Sequence, residues 1–299
     1  FYYELYKGNK FAVPFLRFDE MNTLSKRKNP AFEFCEAQYF LAVDGEARIV
    51  GRVAAIINRR ANEQWNKKQV RFGWFDFVDD LEVSQALLNA VEAWGRTKGM
   101  TECVGPLGFT DMDREGLLIE GFHHKSTMYI NYNYPYYKNH MEAMSFYEKD
   151  NDWLEYRIKV PEETPAKFAR TAEMIEKRYN LHVHKFTSRE LVKGGMGREV
   201  FHIVNETYKD LYDFQQLTDS QIDKYVNDYI KKADLNLVTG VVDGNDGNRL
   251  IGFGVSFPSF TDALQKIGNG KLLPWGWLKI LKVMKFHATD TVDLLLIGV

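Results

Sequence analysis

Apolar and polar positions fall into three short runs in the first half of the chain. Residues 39–43 (YFLAV), 48–57 (RIVGRVAAII) and 70–78 (VRFGWFDFV) are dense in β-branched and aromatic side chains. The pair Asp44-Gly45 separates the first two, a pattern that predicts a hairpin followed by a third strand. About two hundred residues later the layout returns, in 237–242, a turn around 243–248, 250–257 and 291–299, as an internal duplication would produce. Both second strands carry an early glycine, Gly51 and Gly252. A glycine inside a strand marks a bulge or the close approach of another backbone.

Between these runs the period changes from two to 3.6. Residues 82–96 place Val83, Ala86, Leu87, Ala90, Val91 and Trp94 on one stripe, with Asp79 and Asp80 as caps before it and Gly99 as a stop beyond it. A strand over 101–105 and a short helix over 136–144 follow. Residues 153–160 (WLEYRIKV) alternate and predict a strand that closes a first domain. A proline-bracketed segment, 161–165, leads into a helix over 166–179, a strand over 181–185 and amphipathic helices over 198–211 and 220–231. The fold class is α/β (α+β), with domains at 1–160 and 161–299, each a mixed, mainly antiparallel sheet flanked by helices.

A chain of 299 residues agrees with two domains. With 39 Lys+Arg against 41 Asp+Glu, no mainly electrostatic nucleic-acid partner is expected. No apolar run is long enough to span a bilayer, and no membrane partner is expected. Cys35 and Cys103, the only cysteines, give no disulfide framework and suit a reducing, cytoplasmic compartment. The chain opens Phe-Tyr-Tyr and closes inside the apolar run 294–299, so the natural chain is expected to continue at both ends.

Strand, two helices, three-strand meander, helix, strand, helix, strand is an order that resembles the GNAT acetyltransferase superfamily. The resemblance rests on 40–59, 70–96, 133–146 (NYPYYKNHMEAMSF) with 153–160, and again on 237–257 with 291–299. It is closest to bacterial tandem GNAT-like proteins, with a second domain that stops after its fourth strand. It implies acyl transfer from acetyl-CoA to a small-molecule or peptide amine. In that family the pantetheine lies between the fourth and fifth strands, and a fourth-strand N–H supports the oxyanion. The pyrophosphate sits at the next helix start, in a Gln/Arg-x-x-Gly-x-Gly/Ala loop.

The first domain departs from that pattern. After Val78 the chain runs Asp-Asp-Leu-Glu, without a glycine and with three carboxylates where an anion should sit. Met141 stands where the family's general-acid Tyr is expected. The resemblance therefore implies an acetyl-CoA site in the second domain, with Ile297, Gly298 and Val299 as backbone groups beside the thioester and Asp293 as the nearest carboxylate and candidate base.

Substrate-binding candidates come from the residues themselves. Asp111, Asp113 and Glu115 lie just past the strand at 101–105, the side of an α/β sheet where ligands collect; a structured Asx-turn loop is the alternative. Tyr134 and Tyr136 belong to an aromatic patch that would either line a substrate groove or pack over the sheet. The glycine-rich stretch 193–198 suggests a phosphate cradle or a flexible helix start, and His182 and His184 lack a third ligand, so no metal is expected. Three functions stand side by side: an N-acetyltransferase, a GNAT-like binding protein that has lost CoA, and an aminoacyl transferase of the tandem type. Strand edges and exposed aromatics would serve a homodimer.

Overall fold

A computed structural model describes residues 1–230 and 233–299. Its helices are α1 (Tyr2–Leu5), α2 (Arg17–Thr23), α3 (Arg59–Gln64), α4 (Leu81–Thr97), α5 (Tyr136–Ala143), α6 (Ala166–Tyr179), α7 (Ser188–Val192), α8 (Met196–Thr207), α9 (Asp219–Asp228), α10 (Thr261–Ile267) and α11 (Gly276–Phe286). Its strands are β1 (Cys35–Val43), β2 (Ile49–Asn58), β3 (Gln69–Phe77), β4 (Glu102–Val104), β5 (Leu181–Lys185), β6 (Val238–Asp243), β7 (Arg249–Pro258) and β8 (Val292–Gly298). They form two four-stranded sheets, β1-β2-β3-β4 and β5-β6-β7-β8, flanked by helices. The fold is mixed α/β, as the sequence pattern requires.

The chain divides into two compact units. One holds residues 1–152, 213–215 and 259–289; the other holds 153–212, 216–258 and 290–299. Residues 259–289, which connect β7 to β8, thus group with the first unit, and 153–160 with the second.

In the first unit β1, β2 and β3 form an antiparallel meander, and β4 adds parallel to β3 after the α4 crossover. Because side chains alternate across a strand, the sheet has two different faces. Val53, Ala55 and Ile57 of β2 and Val70, Phe72, Phe75 and Phe77 of β3 pack on Leu87, Leu88 and Val91 of α4 and on Tyr137 and Met144. Each of these large side chains contributes roughly 1.5–3 kcal/mol by leaving water. Gly51 permits this approach, since a Cβ there would lie 2.8 Å from Leu87 Cδ1. Asp80 caps α4 by accepting from the Glu82 N–H at 2.9 Å.

The opposite face is polar as well as buried. Arg52 and Asn58 of β2 and Arg71 and Asp76 of β3 project there, around an apolar patch of Ala54, Ile56, Phe34 and Phe109. Opposite the single residue Val53, β3 supplies two, Trp74 and Phe75, and Trp74 takes φ 46°. This bulge keeps Phe72 and Phe75 on the apolar face while Asp76 stays on the polar one.

The second unit repeats the meander as β6-β7-β8, with β5 antiparallel on its other edge. The duplication extends to detail. Val50 is unopposed between the pairs Ala42–Gly51 and Val43–Ile49, and Ile251 is unopposed between Val241–Gly252 and Val242–Leu250. Each early glycine follows a bulge at the equivalent place. Val200, Phe201 and Val204 of α8 are buried, and capping boxes at Thr187/Glu190 and Thr218/Gln221 start α7 and α9.

Two expectations need correction. Residues 153–160 form no strand: Leu154, Tyr156, Ile158 and Val160 are exposed, and among the described residues no strand pairs with them. Alternation describes a half-buried strand only when a partner supplies hydrogen bonds. The helix expected over 220–231 is α9, which ends at Asp228; Lys231 lies outside the described residues.

Candidate functional site

The polar face of the first sheet holds two ionic clusters, one around each arginine. The first joins Arg52 Nε to Asp76 Oδ2 at 2.7 Å and Arg52 Nη1 to Glu20 Oε1 at 2.8 Å. Tyr3 donates to Glu20 at 3.1 Å, and the Tyr6 hydroxyl donates to that of Tyr137, which accepts from the Phe77 N–H. Burial raises the Asp76 carboxyl and Arg52 opposes it. This cluster ties the N-terminal helices to the sheet and leaves Arg52 Nη2 buried without a partner.

The second cluster is open in its hydrogen bonding. Arg71, the last β3 residue paired with β4, meets Asp213 at 2.7 Å, with both side chains nearly inaccessible. Segment 213–215 is held there by Asn58 donating to Gln215 at 2.7 Å, and by Gln64 and Trp65 donating to the Phe214 carbonyl. The loop after β4 is held against β3 by Leu107 N–H donating to the Phe72 carbonyl at 2.8 Å. Gly73 allows this contact, because a Cβ there would meet the Leu107 oxygen at 2.3 Å.

From this loop Asp111 and Glu115 face the Arg71–Asp213 pair. Burial pushes the Asp111 carboxyl up to about 7; Arg71 pulls it down, and Asp213 and Asp113 push it further. Burial pushes Glu115 up to about 8, with the Asp111 charge next in effect. Asp111 Oδ1 and Glu115 Oε1 are buried without a hydrogen-bond partner. Buried polar atoms are nearly always paired, so two such oxygens in one cluster call for an explanation. Chemically, the cluster can hold a proton at neutral pH or accept hydrogen bonds from an ammonium or amine. Among the described residues there is no group of three or more His, Cys, Asp or Glu fit to hold a metal ion.

The other candidate residues have different settings. Asp113 turns its carboxylate back onto the Phe109 N–H at 2.8 Å, which shapes the loop. Tyr134 donates to the Leu5 carbonyl and stacks between Tyr6 and Tyr136, while Tyr136 donates to the Phe77 carbonyl at 2.6 Å. Both hydroxyls are thus engaged by backbone. In the second unit Asp293 pairs with Phe257 in the sheet. The Ile297 carbonyl accepts from the Tyr208 hydroxyl at 3.1 Å, and the Ile297 N–H donates to that same oxygen at 3.3 Å. Gly298 packs on α8, where a Cβ would lie 3.0 Å from Thr207 Oγ1, and Val299 is exposed. The structure brings Asp111 together with Asp113, but neither with Tyr134 or Tyr136 through any contact described. Arg198 of the glycine-rich stretch is bound to Asp219 and Asp223.

Arg71 and Asp213 were not marked by sequence reasoning, whereas Glu115 was, with Asp111 and Asp113. One signal was present: Arg71 and Asp76 are the charged residues of a strand that is apolar from Val70 onward apart from them. Asp213 offered no signal, since its pairing depends on a segment distant in sequence.

No family model matches the chain, and no solved structure matches it. Two curated relatives are similar over nearly all of it. Protein YghO of Escherichia coli (strain K12) is 26% identical over 302 residues, which cover 99% of this chain and 73% of that protein. Bacterial ceramide synthase of Caulobacter vibrioides (strain NA1000 / CB15N) is 27% identical over 287 residues, 94% and 71% of the two chains.

Proposed function

We propose that the chain is an N-acyltransferase of the GNAT type that joins an activated acyl group to an amine bound at Asp111 and Glu115. The observation that carries the reading is the pair of buried carboxyls with unpartnered oxygens and raised pKa values beside Arg71. An amine in water is mostly a cation and cannot attack until it loses a proton. A carboxyl titrating near 7 to 8 is matched to that task near neutral pH. One carboxylate of the pair takes the ammonium proton, the amine nitrogen bonds to the acyl carbon, the leaving group departs with the electron pair of the broken acyl bond, and the second amine proton passes to the other carboxylate.

The similarity to a protein named bacterial ceramide synthase supports the same bond, since a ceramide is a sphingoid base acylated on nitrogen. It favours a long-chain amine and a fatty acyl donor over the acetyl group of the family resemblance. The donor is proposed to be an acyl-CoA thioester. The first unit does not fit its pyrophosphate: the Asp80 carboxylate occupies the Glu82 amide at the start of α4, and Asp79 stands beside it, bonded to His140 at 3.0 Å. That same capping favours a second reading, a GNAT-like binder that takes the amine and transfers nothing.

Incubation of the full chain with sphinganine and acyl-CoA of two to sixteen carbons, with amide detected by mass spectrometry, tests the proposal. Amide formation that rises with pH through 7 to 8 and falls at least tenfold in Asp111→Asn supports it. Absence of amide with every donor, from protein that is folded by circular dichroism and binds the amine, leaves the binder.

A further inference from the structure

Residues 263–289 carry five lysines, Lys266, Lys271, Lys279, Lys282 and Lys285, and no Asp or Glu, in a protein whose overall charge is −2. The stretch contains α10, a loop and α11, and belongs to the first unit. Helix α11 turns Val283 inward, while Trp277, Lys282, Met284, Lys285 and Phe286 are exposed. Just before it, Leu273 is 77% and Trp275 71% exposed; Phe286, at its end, is 73% exposed. Among the described residues, none of Lys271, Lys282 and Lys285 forms a salt bridge. Exposed large apolar side chains and cations without a salt bridge therefore alternate along residues 271–286, and Lys282 and Phe286 are one helical turn apart on α11.

We propose that this surface docks on an anionic phospholipid bilayer, with α11 lying in the plane of the interface. Charge complementarity selects the occupant. A protein core would cover Leu273, Trp275 and Phe286 but would strand the lysines among them. A bilayer interface takes both, because indole and aliphatic groups enter the acyl boundary while lysine ammonium groups reach the headgroup phosphates along their flexible stems. Tryptophan suits that depth, being apolar in body with one donor. No helix of the described residues is long and apolar enough to cross a membrane, so α11 would lie on the surface. The absence of a run long enough to span a bilayer bears on spanning alone, and an interfacial helix needs no such run. The argument is independent of the acyl-transfer reading, since it uses none of the residues near Arg71.

Flotation of the full chain with phosphatidylcholine vesicles, with and without 30 mol% phosphatidylglycerol, decides the matter without any substrate. Binding is expected to the anionic vesicles only, to weaken steeply between 0.05 and 0.5 M salt, and to be accompanied by tryptophan quenching from brominated acyl chains. Each lysine near an anionic surface is worth on the order of fivefold in partitioning, so Lys271→Gln/Lys282→Gln/Lys285→Gln should lower it on the order of a hundredfold. Trp275→Ala/Trp277→Ala, at exposed positions, should abolish most of the quenching and keeps the test decisive if the lysine variant folds poorly. Equal binding to both vesicle types, or unchanged binding by both variants, overturns the proposal. A concentration-dependent dimer that these variants dissolve, without vesicle binding, would assign the surface to a second copy of the chain and also overturn it.

Discussion

Replacing Asp111 with Asn separates the cost of the buried carboxyl pair from its use. In water an aspartate titrates near 3.8, and in the folded protein Asp111 titrates near 7. Well below pH 3.8 both folded and unfolded chains hold the proton, and the shift has no effect on stability. As pH rises further the unfolded chain ionises first while the folded one keeps its proton, so stability falls until the folded values near 7 and 8 are passed. Three units at about 1.4 kcal/mol each give a ceiling of about 4 kcal/mol for Asp111 above pH 8. The Glu115 shift overlaps with this, because each carboxyl raises the other and the two do not add.

Asn keeps the shape and cannot ionise. Asp111→Asn should therefore raise the urea midpoint by about 1 M at pH 8.5, and by a fraction of that at pH 4.5, for an m value near the upper end of the usual range. Tryptophan fluorescence follows this transition, since five of the six tryptophans lie in the first unit. Burial also raises Asp76 and Asp213, so part of the slope with pH should persist. An unchanged slope, or a lower midpoint at both pH values, would refute the reasoning. If the pair serves the proposed reaction, the same substitution stabilises the protein and slows amide formation, a trade expected where a site holds groups under strain.

Arg71→Met leaves Asp213 buried without its cation and should cost about 3–5 kcal/mol in urea unfolding, most of which Arg71→Met/Asp213→Leu restores. Gly73→Ala sets a Cβ against the Leu107 carbonyl, backbone to backbone, and should destabilise by about 3 kcal/mol. A loss under 1 kcal/mol would mean that the loop after β4 can shift. Asp80→Ala removes the α4 cap, for about 1 kcal/mol and a melting temperature lower by roughly 2–4 °C. If capping is what excludes an anion, this variant should also gain weak affinity for CoA, measurable by calorimetry.

Much of the architecture is legible in local pattern. Periods of 2 and 3.6 mark β1 to β3, α4 and β6 to β8, because a strand or amphipathic helix buries one face and its sequence must show that face. The early glycines indicate bulges in both hairpins, since only a residue without a Cβ lets α4 approach β2 at Gly51. The acidic loop at 111–115 is visible as a run of carboxylates past a strand. Which carboxylate does what is not visible. Asp113 folds back on the Phe109 amide while Asp111 Oδ1 and Glu115 Oε1 stay without a partner, and that division depends on loop geometry.

What the sequence determined by itself is therefore the set of elements and their repetition, both governed by interactions within a few residues. Tertiary structure alone decided three things. It left 153–160 without a strand partner, it set Asp213 against Arg71 across a long stretch of chain, and it buried Asp111 and Glu115 deeply enough to titrate near neutrality. Each depends on which distant backbone arrives beside a residue, and on how much water that arrival removes. Hydrogen-bond pairing, ion pairing and desolvation are non-local quantities, and no periodicity in the chain encodes them.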